Sequence, residues 1–318
     1  MSEVAIISTT ISIMKTILPL DALRTTFSDR LQENVPLAPY TSARIGGPAD
    51  ALLILHSADE LAEAINCLWA MDVPYTIIGG GSNVLVSDRG IRGVVVLNRA
   101  KALHLIPGRQ PTVWAESGVT LGNLAHRVAE SGLAGLEWAA NIPGTIGGAI
   151  YGNAGAFDGD MAGSLHYAEL LTEHKRERWP VEKMEYGYRT SILKQQAVKA
   201  FILSAELRLI NSSKEAVQEK IRQFAQRRRE SQPPGASMGS MFKNPPGDSA
   251  GRLIEAAGLK GTRIGNAEIS MKHANFFINH GETKGSDIHT LIYQARDTIA
   301  KKFGVTLELE IELIGDWQ

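Results

Sequence analysis

The sequence predicts an α/β fold of two small units followed by a third. Three observations carry this. Strand–helix–strand signals crowd residues 51–97, alternating strands recur over 165–209, and the texture changes near Leu209 before the breakers Pro233-Pro234-Gly235. A length of 318 residues allows two domains, or one large domain with subdomains. The expected division is an N-terminal extension over 1–35, a domain over 36–210 with subdomains at about 36–99 and 100–210, and a C-terminal domain over 211–318.

In the first unit, 22–32 reads as a helix, followed by a loop around Pro36 and Pro39. A strand is expected over 51–55. Ser57 and Glu60 have capping-box spacing, so a helix should run to about Met71, with Leu61, Ile65 and Leu68 on one face. Pro74 stops it. Strands are expected over 75–78, 84–86 and 93–97, the last nearly all valine and so buried on both faces. In the second unit, 112–115 reads as a strand, and Thr120 caps a helix that Gly132 ends. Tyr186–Ser191 reads as a loop. In the third, Ser212 and Glu215 repeat the capping-box spacing before a helix that ends in Arg227-Arg228-Arg229. A helix over 250–257, a strand over 275–279 and a helix over 286–303 follow. The last strand, 305–314, alternates Val305, Leu307, Leu309, Ile311 and Leu313 with polar residues.

Bulk composition excludes several classes. A net charge of −1 provides no global basic field for nucleic acid. The only cysteine, Cys67, excludes an internal disulfide and a multi-cysteine metal site, which fits a reducing, cytoplasmic compartment. The histidines show no metal-ligand spacing, so no metal is expected. Residues 1–14 have an apolar centre but no basic flank, and are shorter than the ~20 residues a membrane span takes. They read as a loosely docked or disordered extension, or as a segment upstream of a start at Met14. No membrane partner is expected.

Chemistry is first suggested by glycine. Asn141–Ala156 reads NIPGTIGGAIYGNAGA, with five glycines in sixteen residues. Such a run makes a poor helix and a poor strand, but a good loop whose N–H groups can converge on an anion. Gly79-Gly80-Gly81-Ser82-Asn83 follows a short apolar strand in the same style. Each loop alone can equally be a tight turn; together they suggest a grip on one phosphate-bearing cofactor. Neither G-x-G-x-x-G nor a P-loop is present. Ser240, Arg189 and Glu310 each have a plain structural reading: a loop serine bonded to its own backbone, a solvated arginine stacked on a tyrosine, and the wet face of a strand.

Taken in order, Tyr40–Asp50, Ile78–Leu85, Ile142–Gly155, Tyr188-Arg189 with Ser191, Gly239–Pro245 and Glu310–Gly315 resemble the motifs of the UDP-N-acetylenolpyruvoylglucosamine reductase family. The resemblance spans about Tyr40 to Gly315. It implies an FAD-binding fold of the vanillyl-alcohol-oxidase type with two α/β subdomains, plus a C-terminal α+β substrate domain. It implies that Gly79, Gly80, Gly81, Ser82 and Asn83, with Pro143, Gly144, Thr145, Gly147 and Gly148, hold the FAD diphosphate through backbone N–H groups. Asn153, Gly155 and Ala156 would lie along the cofactor, and Tyr40, Thr41 and Ser42 near it. In the implied reaction NADPH reduces FAD, and the enolpyruvyl ether of a UDP-sugar then accepts the hydride at its methylene carbon. Arg189 matches the arginine that stabilises the enolate-like charge, Ser240 the serine that protonates the adjacent carbon, and Glu310 the glutamate that completes the cluster. Lys243, Asn244 and Tyr188 match substrate-contacting positions.

Two departures stand out. Ser231-Gln232-Pro233 replaces the family's Lys-Gln-Pro, so Arg228 or Arg229 would have to face the substrate diphosphate. The insertion with a substrate-closing tyrosine is missing, as in the shorter subgroup. Two other readings are an FAD-dependent oxidase of the same superfamily and a flavin-binding protein without catalysis. The oxidase would consume oxygen without the UDP-sugar, and the binding protein would consume no NADPH.

Overall fold

The computed structural model describes residues 18–173 and 175–317, so the expectation for residues 1–14 lies outside the described residues. The first unit is a four-stranded sheet in the order Leu31–Pro36, Pro48–Leu55, Ile91–Asn98, Tyr75–Ile78. The last three strands run parallel, and Leu31–Pro36 is antiparallel to its neighbour. Both faces of the central pair, Pro48–Leu55 and Ile91–Asn98, are covered, which is why these two strands read as apolar runs. Leu53, Leu55, Val94 and Val96 pack on one side against the helix Ala58–Ala70. Leu52, Val95 and Leu97 pack on the other with Leu37 and Val86. The Ser57 hydroxyl accepts from Glu60 N–H at 3.1 Å, as its spacing predicts. The expected helix over 22–32 is a correction. The helix covers Leu20–Phe27, and Leu31 and Gln32 already belong to an edge strand paired with Leu53 and Leu52.

The second unit is an antiparallel sheet of five strands: Arg176–Pro180, Leu165–Thr172, Ala200–Arg208, Thr112–Glu116 and Leu103–Ile106. The helices Leu121–Glu130 and Lys214–Ser231 belong with it. Val217 and Ile221 of the latter share a core with Leu124, Val128 and Leu136. The boundary expected at 210/211 therefore does not coincide with a change of core, which comes after this helix. The cap is also shifted by one residue from the expected Ser212: Ser213 accepts from Ala216 N–H.

The third unit packs Ala250–Ala256 and Gly285–Phe303 on a three-stranded sheet, Arg263–Ile264, Ala267–Ile269, Phe277–Asn279. The apolar stripe read from the sequence, Ile288, Leu291, Ile292, Ala295 and Ile299, is fully buried. Each large member contributes ~1.5–3 kcal/mol by leaving water. The N-terminus of this helix is held by Asp88 of the first unit, whose carboxylate accepts from Gly285 N–H at 2.6 Å and Ser286 N–H at 2.9 Å. Losing an N-terminal acceptor costs about 1–2 kcal/mol. Asp88→Ala is therefore expected to lower the urea midpoint, and an unchanged midpoint would show the junction to be held elsewhere.

The expected last strand, 305–314, shrinks to Glu312–Ile314. Leu307 and Ile311 are buried as the alternation requires, but over 305–311 the backbone finds only an isolated bridge from Leu309 to Phe242. Glu312–Ile314 instead runs parallel to Val84–Val86, immediately after the first glycine loop. This pairing brings the third unit to the first.

Candidate active site

The two glycine loops meet. Ser82 Oγ donates to Pro143 O at 3.2 Å. A Cβ on Gly79 would lie 2.4 Å from Thr145 Oγ1, and one on Gly80 would lie 3.1 Å from Gly144 Cα. Gly81 sits at φ +60°, with space for a Cβ taken by Tyr40 O at 2.2 Å. Here glycine is required both by backbone conformation and by close approach. Among the described residues, the N–H groups of Gly80, Gly81, Ser82, Gly144 and Thr145 have no acceptor in the protein. The buried Asn141 Nδ2, three residues before Gly144, has none either. A concave cradle of unpartnered donors, too tight for side chains, fits a diphosphate.

The second loop differs from expectation in one respect. Ile146–Gly152 is a short helix, despite its three glycines. Thr145 Oγ1 accepts from Gly148 N–H at its start, and Ile146, Ala149 and Ile150 are buried against the second core. Capping and burial override poor propensity. The helix also occupies donors: Gly147 N–H goes to Ser117 O at 2.8 Å, and Gly148 N–H to Thr145. Gly147 and Gly148 thus lack free N–H groups for a phosphate, and Pro143 has none to offer. Gly144 and Thr145 remain.

Asn153 ends this helix in the left-handed conformation, with φ +45°. Its Nδ2 donates to Gly187 O at 3.0 Å and its Oδ1 accepts from Ala162 N–H. Asn153 therefore holds the turn Gly187-Tyr188-Arg189-Thr190 in place, and Ser191 adds a bond from its Oγ to Tyr151 O at 2.7 Å. At the turn's tip, Arg189 has φ +56°. Its Nη2 donates to Gly155 O at 2.8 Å, and its Nε reaches Glu310 Oε1 at 2.8 Å. Tyr188 is exposed, its ring under the Arg189 guanidinium at 5.4 Å. Ala156 pairs with Gly159 in a short hairpin beside Gly155.

Glu310 comes from the segment leading into the last strand. Asn83 of the first loop donates from Nδ2 to Glu310 O at 3.0 Å and accepts from Glu312 N–H. Glu310 N–H donates to Met241 O at 2.9 Å, which ties its segment to the loop that carries half-buried Ser240. Arg189 and Glu310 thus converge from distant parts of the chain, and the loop carrying Ser240 is tied to the Glu310 segment through Met241. Burial raises the Glu310 carboxyl pKa above the ordinary range, outweighing the opposing pull of Arg189, Lys194 and Lys243. Its proton is held more tightly folded than unfolded. The stability it contributes is full below the ordinary carboxylate range and is lost as pH rises through its raised value.

The remaining expected contacts are mixed. Lys243 Nζ lies 3.3 Å from Glu308 Oε2, an exposed partner that a stronger anion can displace. Asn244 Oδ1 accepts from Ala250 N–H, so it braces the loop before the helix Ala250–Ala256. Lys194 went unnoticed in the sequence. Its Nζ reaches Glu312 Oε1 at 2.9 Å and Glu310 O at 3.4 Å, with 14% of its side chain exposed. Its spacing of three from Ser191 carries no signal that separates it from a solvated lysine. Among the described residues, no cluster of His, Cys, Asp or Glu could hold a metal ion, and no helix is long and apolar enough to cross a membrane.

Comparison with known proteins gives a consistent picture. Residues 49–174 match the family described as FAD binding domain, and residues 230–314 match the UDP-N-acetylenolpyruvoylglucosamine reductase C-terminal domain. The chain is 46% identical over 292 residues to the UDP-N-acetylenolpyruvoylglucosamine reductase of Chloroflexus aggregans, covering 89% of this chain and 97% of that protein. It is 41% identical over 285 residues to the Bacillus subtilis protein of the same name, covering 89% and 93%. The crystal structure of the Thermus caldophilus enzyme superposes with a TM-score of 0.77 at 33% identity, covering 90% of this chain and 99% of that one.

Proposed function

The chain belongs to the UDP-N-acetylenolpyruvoylglucosamine reductase family, and from that premise we infer how its own residues divide the work of an FAD-dependent oxidoreductase. The enzyme reduces UDP-N-acetyl-3-O-(1-carboxyvinyl)-glucosamine to UDP-N-acetylmuramate, a step of peptidoglycan precursor synthesis, with NADPH as reductant. When bound, FAD supplies a hydride acceptor and donor that links the two substrates. The backbone donors of Gly80, Gly81, Ser82, Gly144 and Thr145 fit its diphosphate.

The observation that carries the assignment of roles is the Arg189–Glu310 contact at 2.8 Å, made where Gly155 of the second loop meets the C-terminal segment. Arg189 keeps N–H donors on Nη1 and Nη2 for an incoming carboxylate. Held in place by Gly155 O at 2.8 Å and Asn153 O at 3.5 Å, it faces charge that grows during hydride transfer without having to reorganise. Ser240 donates a proton to the carbon left carbanionic; a hydroxyl is a weak acid, so only a strongly basic carbon draws it. Glu310 keeps Arg189 oriented, and its raised proton affinity lets its charge fall when a second carboxylate enters. Lys243 exchanges Glu308 for substrate. A cytoplasmic location goes with this reading, since both substrates are polyanions that bilayers exclude.

Rapid mixing of the FAD-loaded protein tests this in two halves. NADPH should bleach the flavin band, and the UDP-enolpyruvyl sugar should restore it. Ser240→Ala is expected to leave bleaching near normal and slow restoration by roughly 10²–10⁴-fold, the usual range for a general acid. Equal loss in both halves contradicts the proton-donor role. Oxygen consumption without the sugar would favour an oxidase, and a band that NADPH never bleaches would favour a binding protein.

A further inference from the structure

Five residues after Arg189 the chain carries a second cation, Lys194, and the segment that carries Glu310 carries a second carboxylate. Arg189 meets the Glu310 side chain; Lys194 meets the Glu312 side chain at 2.9 Å and the Glu310 main-chain carbonyl at 3.4 Å. Lys194 is itself fixed: its N–H donates to Ser191 Oγ at 3.2 Å, and that hydroxyl, wholly buried, donates on to Tyr151 O. Both rungs cross between the same two segments. A side chain with 14% exposure and a charged partner on the opposite segment is not a solvated surface lysine.

We propose that Lys194 is a positioning residue for the substrate half of the reaction, holding the Glu310 carboxyl against Arg189 by gripping the Glu310 carbonyl and the Glu312 carboxylate. This rests on the roles inferred above for Arg189 and Glu310. Asn83 grips the same carbonyl from the glycine-loop side. Without Lys194, the Glu310 backbone keeps only that one side-chain anchor, and its carboxyl can swing from the guanidinium. The charged groups facing Glu310 are Arg189 from the turn, Lys194 from the segment after it and Lys243 from the Ser240 loop, with Glu312 two residues on. The Tyr151 phenol faces Glu312. Removing Lys194 subtracts a cation and leaves burial in place, so the Glu310 carboxyl must titrate at higher pH.

The test compares Lys194→Met, which keeps length without charge, with Lys194→Arg, which keeps the charge. Restoration of the flavin band by the UDP-enolpyruvyl sugar should fall roughly ten- to a hundredfold in Lys194→Met, the scale of a misplaced catalytic group. Bleaching by NADPH should stay within about twofold, and Lys194→Arg should recover most of the loss. Carbon-13 NMR of labelled glutamate carboxyls, with Glu310→Gln assigning the signal, gives a readout without turnover. The Glu310 titration should move to higher pH in Lys194→Met and not in Lys194→Arg. If Lys194→Met does not fold, Glu312→Gln, which frees the lysine from its anchor, should also slow restoration selectively. An unmoved Glu310 titration, or equal slowing of both halves, overturns the proposal. A wild-type flavin that the sugar never reoxidises overturns the functional reading instead, while the titration still decides whether Lys194 governs Glu310.

Discussion

Arg189→Met is expected to slow restoration of the flavin band by roughly 10³-fold or more while leaving its bleaching by NADPH nearly intact. Losing one oriented donor to a developing anion costs about 10²–10³ in rate. Here the substitution removes a full charge as well, and strands Glu310 in a buried site without its nearest cation. Arg189→Lys should recover little. An ammonium cannot reach Gly155 O and Glu310 in the same fork, and the chain already bears the cost of a left-handed backbone to place that fork. Single-turnover kinetics against the UDP-enolpyruvyl sugar decide the matter; a variant within tenfold of wild type would remove Arg189 from the chemistry.

Gly81→Ala is expected to yield protein that purifies without flavin. The residue sits at φ +60°, where a side chain costs about 1–2 kcal/mol. The added methyl would also lie 2.2 Å from Tyr40 O and 2.8 Å from Thr41 Cα, both backbone atoms with little freedom to move. Relief must displace the loop, break the bond from Ser42 N–H to Gly81 O at 2.9 Å and splay the unpartnered donors of Gly80 and Ser82. Gly258→Ala is the control. It has φ +79° but nothing within 4 Å of the added methyl, so it should lose a similar strain energy in stability yet keep its flavin. Absorbance ratios of the purified proteins measure retention. Full flavin in Gly81→Ala would show that this loop is not the cradle.

Periodicity and breakers are strong signals where burial is one-sided or complete. Val84–Val86, the valine-rich strand Ile91–Asn98 and the helix Gly285–Phe303 were legible for that reason. The short helix Ile146–Gly152 was not, since its stability lies in the Thr145 cap and in a core drawn from other elements. The edge strands Leu103–Ile106 and Arg176–Pro180 were missed because at least half their residues face water and only pairing with the strand adjacent in sequence makes them strands. Over 305–311 the alternation was real, but it recorded burial without a ladder. The site is a sharper case. Nothing local joins Arg189 to Glu310, which lie 121 residues apart, and each alone reads as a solvated charge. Their joint role came from motif order, and Lys194, outside the motifs compared, needed the folded arrangement to be seen.

The pairing of Val84–Val86 with Glu312–Ile314 has a consequence for synthesis. Asn83 and Glu310 are separated by 227 residues. At ribosomal speeds of about 5–20 residues per second, the apolar Val-Leu-Val edge waits roughly ten to forty-five seconds for its partner. During that interval it is an open template for another nascent chain. Catalytic competence arrives abruptly, when the carboxyl-terminal ribbon docks and seals that edge, so partial chains should be aggregation-prone rather than merely slow.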